Sequence, residues 1–141
     1  MLKVFLSSHA HLASGMQSAL ALFSASEDRL RVHDAYVEGE EATLQEDLDS
    51  FFSEVSPEDD VLLLSDLYGG SVNTVMAGYL DRPRTRLVAG VNLAFLIEVM
   101  AHTDLSEGQL EDIVLQAREA LREVKVNAPG PVPANDPDDF F

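Results

Sequence analysis

Residues 61–71 read VLLLSDLYGGS, and the fold follows from how this stretch is built. Val61 to Leu64 is an unbroken apolar run, the kind expected in the middle of a parallel sheet covered by helices on both faces. Gly69 and Gly70 break the run, and Ser71 opens a segment whose apolar residues, Val72, Val75, Met76, Tyr79 and Leu80, recur at helical spacing. A strand, a glycine-rich turn and a helix in that order form the start of a βαβ unit. The same unit recurs on both sides of it.

Upstream, Leu2 to Leu6 is a short apolar strand bounded by Ser7-Ser8, and Leu12, Met16, Leu20 and Phe23 follow at helical spacing. Residues 31–37 (RVHDAYV) make a second, more polar strand, expected nearer the sheet edge. Thr43 and Glu46 have capping-box spacing, and Leu44, Leu48, Phe51, Phe52 and Val55 line the helix they start. Pro57 and the acids after it end that helix. Downstream, Arg86 to Ala89 is a fourth strand, and Gly90 and Asn92 lead into a short, largely apolar helix. The last helix starts at Ser106 with Gln109 as capping-box partner and carries Leu110, Ile113, Val114, Ala117, Leu121 and Val124. Such alternation predicts an α/β fold: a doubly wound, mainly parallel sheet with right-handed crossovers and the flavodoxin-like strand order 2-1-3-4.

Composition narrows the function classes. The 141 residues hold 9 basic and 25 acidic side chains, a net charge of −16, and no cysteine. Thiol catalysis, thiolate metal sites and disulfide frameworks are thereby excluded. A pI of about 4.3 argues against a nucleic-acid partner, which would require a basic patch. No apolar run approaches the ~20 residues of a membrane span, and MLKVFLSSH lacks a signal-peptide pattern, so a soluble cytoplasmic domain without membrane insertion is expected. Residues 38–60 hold ten acids and neither Lys nor Arg, which reads as a solvated face. From Asn127 the chain turns proline-rich and acidic (NAPGPVPANDPDDFF). The expected organisation is a domain over 1–126 and a flexible tail over 127–141.

Ligands of doubly wound sheets collect beyond the carboxyl ends of the strands, where the strand order reverses. For the order 2-1-3-4 that point lies between strands 1 and 3. The residues just past them are Ser7-Ser8-His9-Ala10-His11 and Ser65-Asp66-Leu67-Tyr68-Gly69-Gly70-Ser71. A histidine and a carboxylate are thus expected side by side over a glycine-rich helix start. Neutral imidazole is a nucleophile near pH 7, and a carboxylate on its other N–H fixes the tautomer and stabilises the cation formed on attack. Helix-start amides are suited to phosphoryl oxygens. Together these are the parts of a phosphohistidine site.

The stretches SSHAHLASGM, YVEGEE, VLLLSDLYGGS and LVAGVNLAFLIE, in this order over roughly residues 2–126, resemble the IIA component of the mannose-family sugar phosphotransferase system. The resemblance implies that His9 accepts a phosphoryl group from the histidine phosphocarrier protein and passes it to a IIB component. Asp66 would orient His9, Gly69, Gly70 and Ser71 would form the phosphate-side wall, and Asn92 the rim. Tyr68 stands where the family often has Trp, Leu67 replaces a frequent Thr, Val72 a frequent Pro, and His11 is a second imidazole expected to meet a partner. The resemblance also implies a homodimer. Glu123 to Asn127, where Val124 and Val126 flank Lys125, is then a candidate short antiparallel C-terminal strand for exchange, or else the last turn of helix. The rim around His9 is expected to be less acidic than the rest of the surface.

Two other readings compete. The phosphotransfer subunit of dihydroxyacetone kinase is similar and keeps the chemistry, but its usual Asp-x-Gly-Ser differs from the Asp-x-x-Gly-Gly-Ser found here. A metal-dependent hydrolase would use His9, His11 and Asp66 as ligands, with only His33 and His102 left to complete the set. A nucleotide- or flavin-binding module lacks support, because no G-x-G-x-x-G follows strand 1. No cofactor or metal is expected.

Overall fold

The computed structural model describes residues 1–24 and 28–126. The proposed tail over 127–141 lies outside them. Four strands, β1 (Leu2–His9), β2 (Leu30–Ala35), β3 (Asp60–Ser65) and β4 (Thr85–Ala89), form one all-parallel sheet in the order β2-β1-β3-β4. This is the expected 2-1-3-4 order, with the more polar β2 at one edge. The helices are α1 (Leu12–Leu20), α2 (Leu44–Ser53), α3 (Ser71–Ala77), α4 (Leu93–Met100) and α5 (Glu107–Glu119).

Strand side chains alternate between faces, and the sheet accordingly divides the core in two. Leu2, Val4, Leu6, Leu62 and Leu64 pack with residues of α1, α4 and α5. Phe5, Val61 and Leu63 pack on the opposite face with Leu48 and Phe51 of α2 and Val72 and Met76 of α3. Leu62, Leu63 and Leu64 are all fully buried, as a central strand covered on both faces requires.

Several boundaries differ from expectation. β1 runs three residues past Leu6, so that His9 is the last residue of the strand rather than part of a loop, in register with Ala35 of β2. Ser7 and Ser8 continue the strand because both hydroxyls are satisfied inside the fold. Ser7 donates to the His33 carbonyl at 2.7 Å, and Ser8 accepts from the Ala13 amide at 2.7 Å. The buried stripe of α1 is Ala13, Met16 and Leu20, with Leu12 largely exposed and Phe23 beyond the helix end. Thr43 caps α2 through the Glu46 amide, and Ser106 and Gln109 form the full capping box of α5.

α5 stops at Glu119, and residues 122–125 form neither the antiparallel strand nor the extra turn of helix expected there. Leu121, Val124 and Val126 stand almost wholly in solvent, so nothing within the described chain rewards continuing either structure.

Candidate functional site

Strand alternation decides where each side chain beyond β1 goes. Ser8 faces α1 and caps it, and His9, one residue on, faces the start of α3. The Asp66 carboxylate, 8% exposed, accepts through a single oxygen, Oδ2, from both the His9 amide and His9 Nδ1, each at 2.9 Å. Backbone and ring of His9 are therefore fixed by the same atom. Burial pushes the Asp66 carboxyl up, but the hydrogen bonds from the His9 amide and ring outweigh it and hold the group below the ordinary aspartate value. An ionised carboxylate only accepts, so Nδ1 carries a proton, and in the neutral ring Nε2 then holds the lone pair.

Nε2 faces Ser71, whose Oγ lies 3.3 Å away. Ser71 is the first residue of α3, and its N-cap, Gly70, has no side chain to close the amides of that turn. Gly69 takes the left-handed φ of 76° that brings the chain from Tyr68 into the helix, a conformation that L side chains rarely adopt. Gly70 sits close under the imidazole: a Cβ there would lie 3.5 Å from His9 Cε1 and 3.3 Å from Leu67 Cβ. Among the described residues the buried Asp66 Oδ1 finds no hydrogen-bond partner, so the carboxylate's hydrogen bonding is concentrated on His9.

The structure brings His9, Asp66, Gly70 and Ser71 together and leaves three expected site residues apart from them. His11 turns to Asp34 of β2, with Nδ1 3.1 Å from Oδ2, and is 74% exposed. Asp34 also takes the Ser14 amide at 2.9 Å and the Ser14 hydroxyl at 2.6 Å, which serves the N-terminus of α1. Tyr68 and Leu67 project into solvent beside the site. Asn92 is occupied structurally: its Oδ1 caps α4 at the Phe95 amide and its Nδ2 donates to the Ala117 carbonyl, both at 2.8 Å. Each end of the amide thus spends one hydrogen bond on the fold and keeps one lone pair and one N–H beyond it.

The hydrolase ligand set does not assemble. His9 and His11 send Nδ1 to different carboxylates, and among the described residues no group of three or more His, Asp or Glu is placed to hold a metal ion. His33 is likewise committed, to Asp47 Oδ2 at 3.0 Å and Glu40 Oε2 at 3.1 Å.

One residue escaped the sequence reading. Tyr36, the first residue after β2, lays its ring beside His9 with centroids 5.5 Å apart and donates its hydroxyl to Ser71 Oγ at 2.9 Å. It was legible only as a residue of the second strand, expected over 31–37, and of the family-like stretch YVEGEE; the strand ends one residue before it. Its nearness to His9 depends on the β1–β2 register, which no local pattern encodes.

Comparisons with known proteins identify the family and the fold. The family profile described as the PTS system fructose IIA component matches residues 3–117. A solved structure of the PTS IIA protein associated with the fucose utilization operon from Streptococcus pneumoniae is 27% identical, with a TM-score of 0.69 over 86% of this chain and 92% of that one. A candidate phosphoenolpyruvate-dependent sugar phosphotransferase system permease from Klebsiella pneumoniae subsp. pneumoniae MGH 78578 is 25% identical, with a TM-score of 0.76 over 86% of this chain and 90% of that one. The mannose/sorbose-specific IIA subunit from Enterococcus faecalis, 21% identical, shares the fold with a TM-score of 0.73 over 91% of this chain and 98% of that one. No curated protein sequence matches the chain. Among the described residues no helix is long and apolar enough to cross a membrane. With the profile spanning most of the chain and a histidine–aspartate pair at the switch point of its sheet, the chain belongs to the fructose/mannose IIA family of the sugar phosphotransferase system.

Proposed function

We propose that His9 is a phosphoryl carrier, charged by the histidine phosphocarrier protein and discharged to a IIB component. The observation that carries this reading is the 2.9 Å contact of Nδ1 with Asp66, which commits one ring nitrogen and leaves Nε2 as the nucleophile. The Nε2 lone pair forms the new N–P bond as the donor's N–P bond breaks, and that electron pair returns to the donor nitrogen. The His9 ring becomes cationic and keeps its Nδ1 proton on Asp66, so no proton has to leave. Asp66 thus stabilises charge without acting as a base. Discharge to the IIB component is the same displacement in reverse.

Around this step, the Ser71 hydroxyl and the Gly69–Gly70 backbone form the phosphate-side wall. Tyr68, Leu67 and His11 are exposed beside it and offer the partner its contact surface. A partner presenting basic or apolar surface suits a chain of net charge −16. The same reading makes the protein a cytoplasmic homodimer with a carrier domain over 1–126, an acidic tail over 127–141 and no cofactor. Among the described residues β4 is a sheet edge, and the apolar residues beside it, Val88, Val114 and Leu121, support a second copy binding there.

The test is transfer of labelled phosphoryl from the phosphorylated phosphocarrier protein. An acid-labile, base-stable product on His9 is expected, and absence of label on the wild-type protein overturns the reading. Light scattering at micromolar concentration should return twice the 15.4 kDa chain mass. A monomer mass removes the dimer and leaves the carrier step standing.

A further inference from the structure

We propose that Tyr36 is a positioning residue for His9, acting through Ser71, which covers Nε2 in the resting protein and re-aims the serine hydroxyl onto the phosphoryl group once it arrives. This rests on the carrier reading of His9.

The backbone places Tyr36 for this. β1 and β2 end side by side, with His9 paired to Ala35 and the Ala10 amide donating to the Ala35 carbonyl at 2.8 Å. Immediately beyond, Ala10 and Tyr36 both adopt left-handed backbone, with φ of 50° and 63°. For an aromatic residue that conformation is an outlier and persists only where the surroundings hold it. Here two contacts hold it: the ring tilted at 43° beside the imidazole, and the hydroxyl on Ser71. The side chain is otherwise free, and the residue is 62% exposed.

Proton accounting gives the contact a direction. Ser71 has one hydroxyl proton and Tyr36 has one. Nε2 has none, because the ring proton sits on Nδ1 against Asp66. With Tyr36 donating to Ser71 Oγ, the serine proton is left to point at Nε2. The resting nucleophile is therefore covered by a weak 3.3 Å bond, reinforced by the donor behind it. When the N–P bond forms, the Nε2 lone pair is consumed and no longer accepts. The serine proton is released to a phosphoryl oxygen, with Tyr36 still donating to the serine. No atom is gained or lost in this switch; one hydrogen bond turns, from Nε2 to the phosphoryl oxygen, and the bond gained is to an anion and is the stronger. The relay therefore favours the phosphorylated form.

The test compares wild type, Tyr36→Phe, Ser71→Ala and the double variant. Nitrogen NMR of the His9 ring in unphosphorylated protein reads the resting contact. Tyr36→Phe should move the Nε2 resonance toward that of an imidazole without a donor, Ser71→Ala should move it further, and the double variant should match Ser71→Ala. The equilibrium division of label between this protein and the phosphorylated carrier reads the second state. Tyr36→Phe should shift it about twofold toward the carrier, because the tyrosine bond is present in both states and only its strengthening of the serine's bond to the anion is lost, and should add nothing in the Ser71→Ala background. An unmoved Nε2 resonance in Tyr36→Phe overturns the proposal. So does a Tyr36→Phe loss that persists in full without Ser71, because the tyrosine would then act independently. If wild type takes no label the carrier reading falls, and the Nε2 resonance still decides whether Tyr36 positions the ring.

Discussion

His9 and His11 stand two residues apart, and each sends Nδ1 to an aspartate Oδ2, at 2.9 Å and 3.1 Å. The pairs differ in what surrounds the contact. Asp66 is 8% exposed and spends the same oxygen on the His9 backbone, so the ring is held from two directions. Asp34 divides its oxygens between His11 and both polar groups of Ser14, and its first duty is the start of α1. The far nitrogen of His9 meets Ser71, with Tyr36 behind it, while the His11 ring is 74% exposed. His33 is a third case, with carboxylates at both nitrogens and none left over. A histidine–carboxylate contact alone therefore does not set what the far ring nitrogen meets. What distinguishes His9 is one committed nitrogen and one aimed at a built wall.

The largest effect should come from erasing one member of the comparison. His9→Ala should abolish label acceptance, while His11→Ala should lower it about two- to threefold through a weakened partner contact at an exposed rim. The reverse result would exchange the roles of the two pairs. The aspartates should separate next. In Asp66→Asn the side-chain oxygen has to stay where Oδ2 was, because the His9 amide and Nδ1 both donate there. Turning the NH₂ inward would oppose two donors. The ring tautomer is kept, the negative charge opposite the cationic ring is lost, and transfer should slow by roughly ten- to a hundredfold with the fold intact. Asp34→Ala should leave the transfer rate within about twofold and instead cost about 1 kcal/mol of stability through the lost cap on Ser14. Single-turnover labelling and urea unfolding of both variants check this, and equal rate losses would erase the distinction drawn between the pairs.

Gly69→Ala sharpens the comparison from the wall side. Nothing lies within 4 Å of a Cβ there, so the cost is the left-handed φ alone, about 1 kcal/mol. Unfolding midpoints should show that loss with the His9–Asp66 contact preserved. A variant as stable as wild type would mean that the turn relaxes freely.

The smallest effect is in acid. Both Asp66 and Asp34 are held below the ordinary value of 3.8. For Asp34, burial pushes upward, and the Ser14 hydroxyl and amide with His11 more than offset it. A carboxyl depressed by folding contributes fully above its unfolded value, and the contribution is lost as pH falls through its folded value. The stability gap between wild type and Asp66→Asn should therefore hold from neutral pH down to about pH 4 and narrow below it. A gap unchanged down to about pH 3 would show that the Asp66 charge adds nothing to folding.

The regular alternation of elements, the apolar run at 61–64 and the glycine pair at 69–70 are local features, and they were sufficient for strand order and for placing His9 opposite Asp66. That sufficiency has a physical basis: right-handed crossovers and burial of both faces leave few ways to wind such a chain. The extra three residues of β1 were hidden because Ser7 and Ser8 look like a strand's end until their buried partners are known. The bond from Asn92 to Ala117 was hidden because it crosses a helix packing that spacing does not report.

Amino-acid order by itself determined the sheet, the switch point and the pairing of one histidine with one carboxylate, since each follows from periodicity and chain direction. Tertiary structure alone decided that His11 receives Asp34, which ring nitrogen of His9 meets Asp66, and that Tyr36 stands behind Ser71. Those outcomes depend on the register between β1 and β2 and on two left-handed residues at their ends. A shift of one residue would turn every strand side chain to the opposite face.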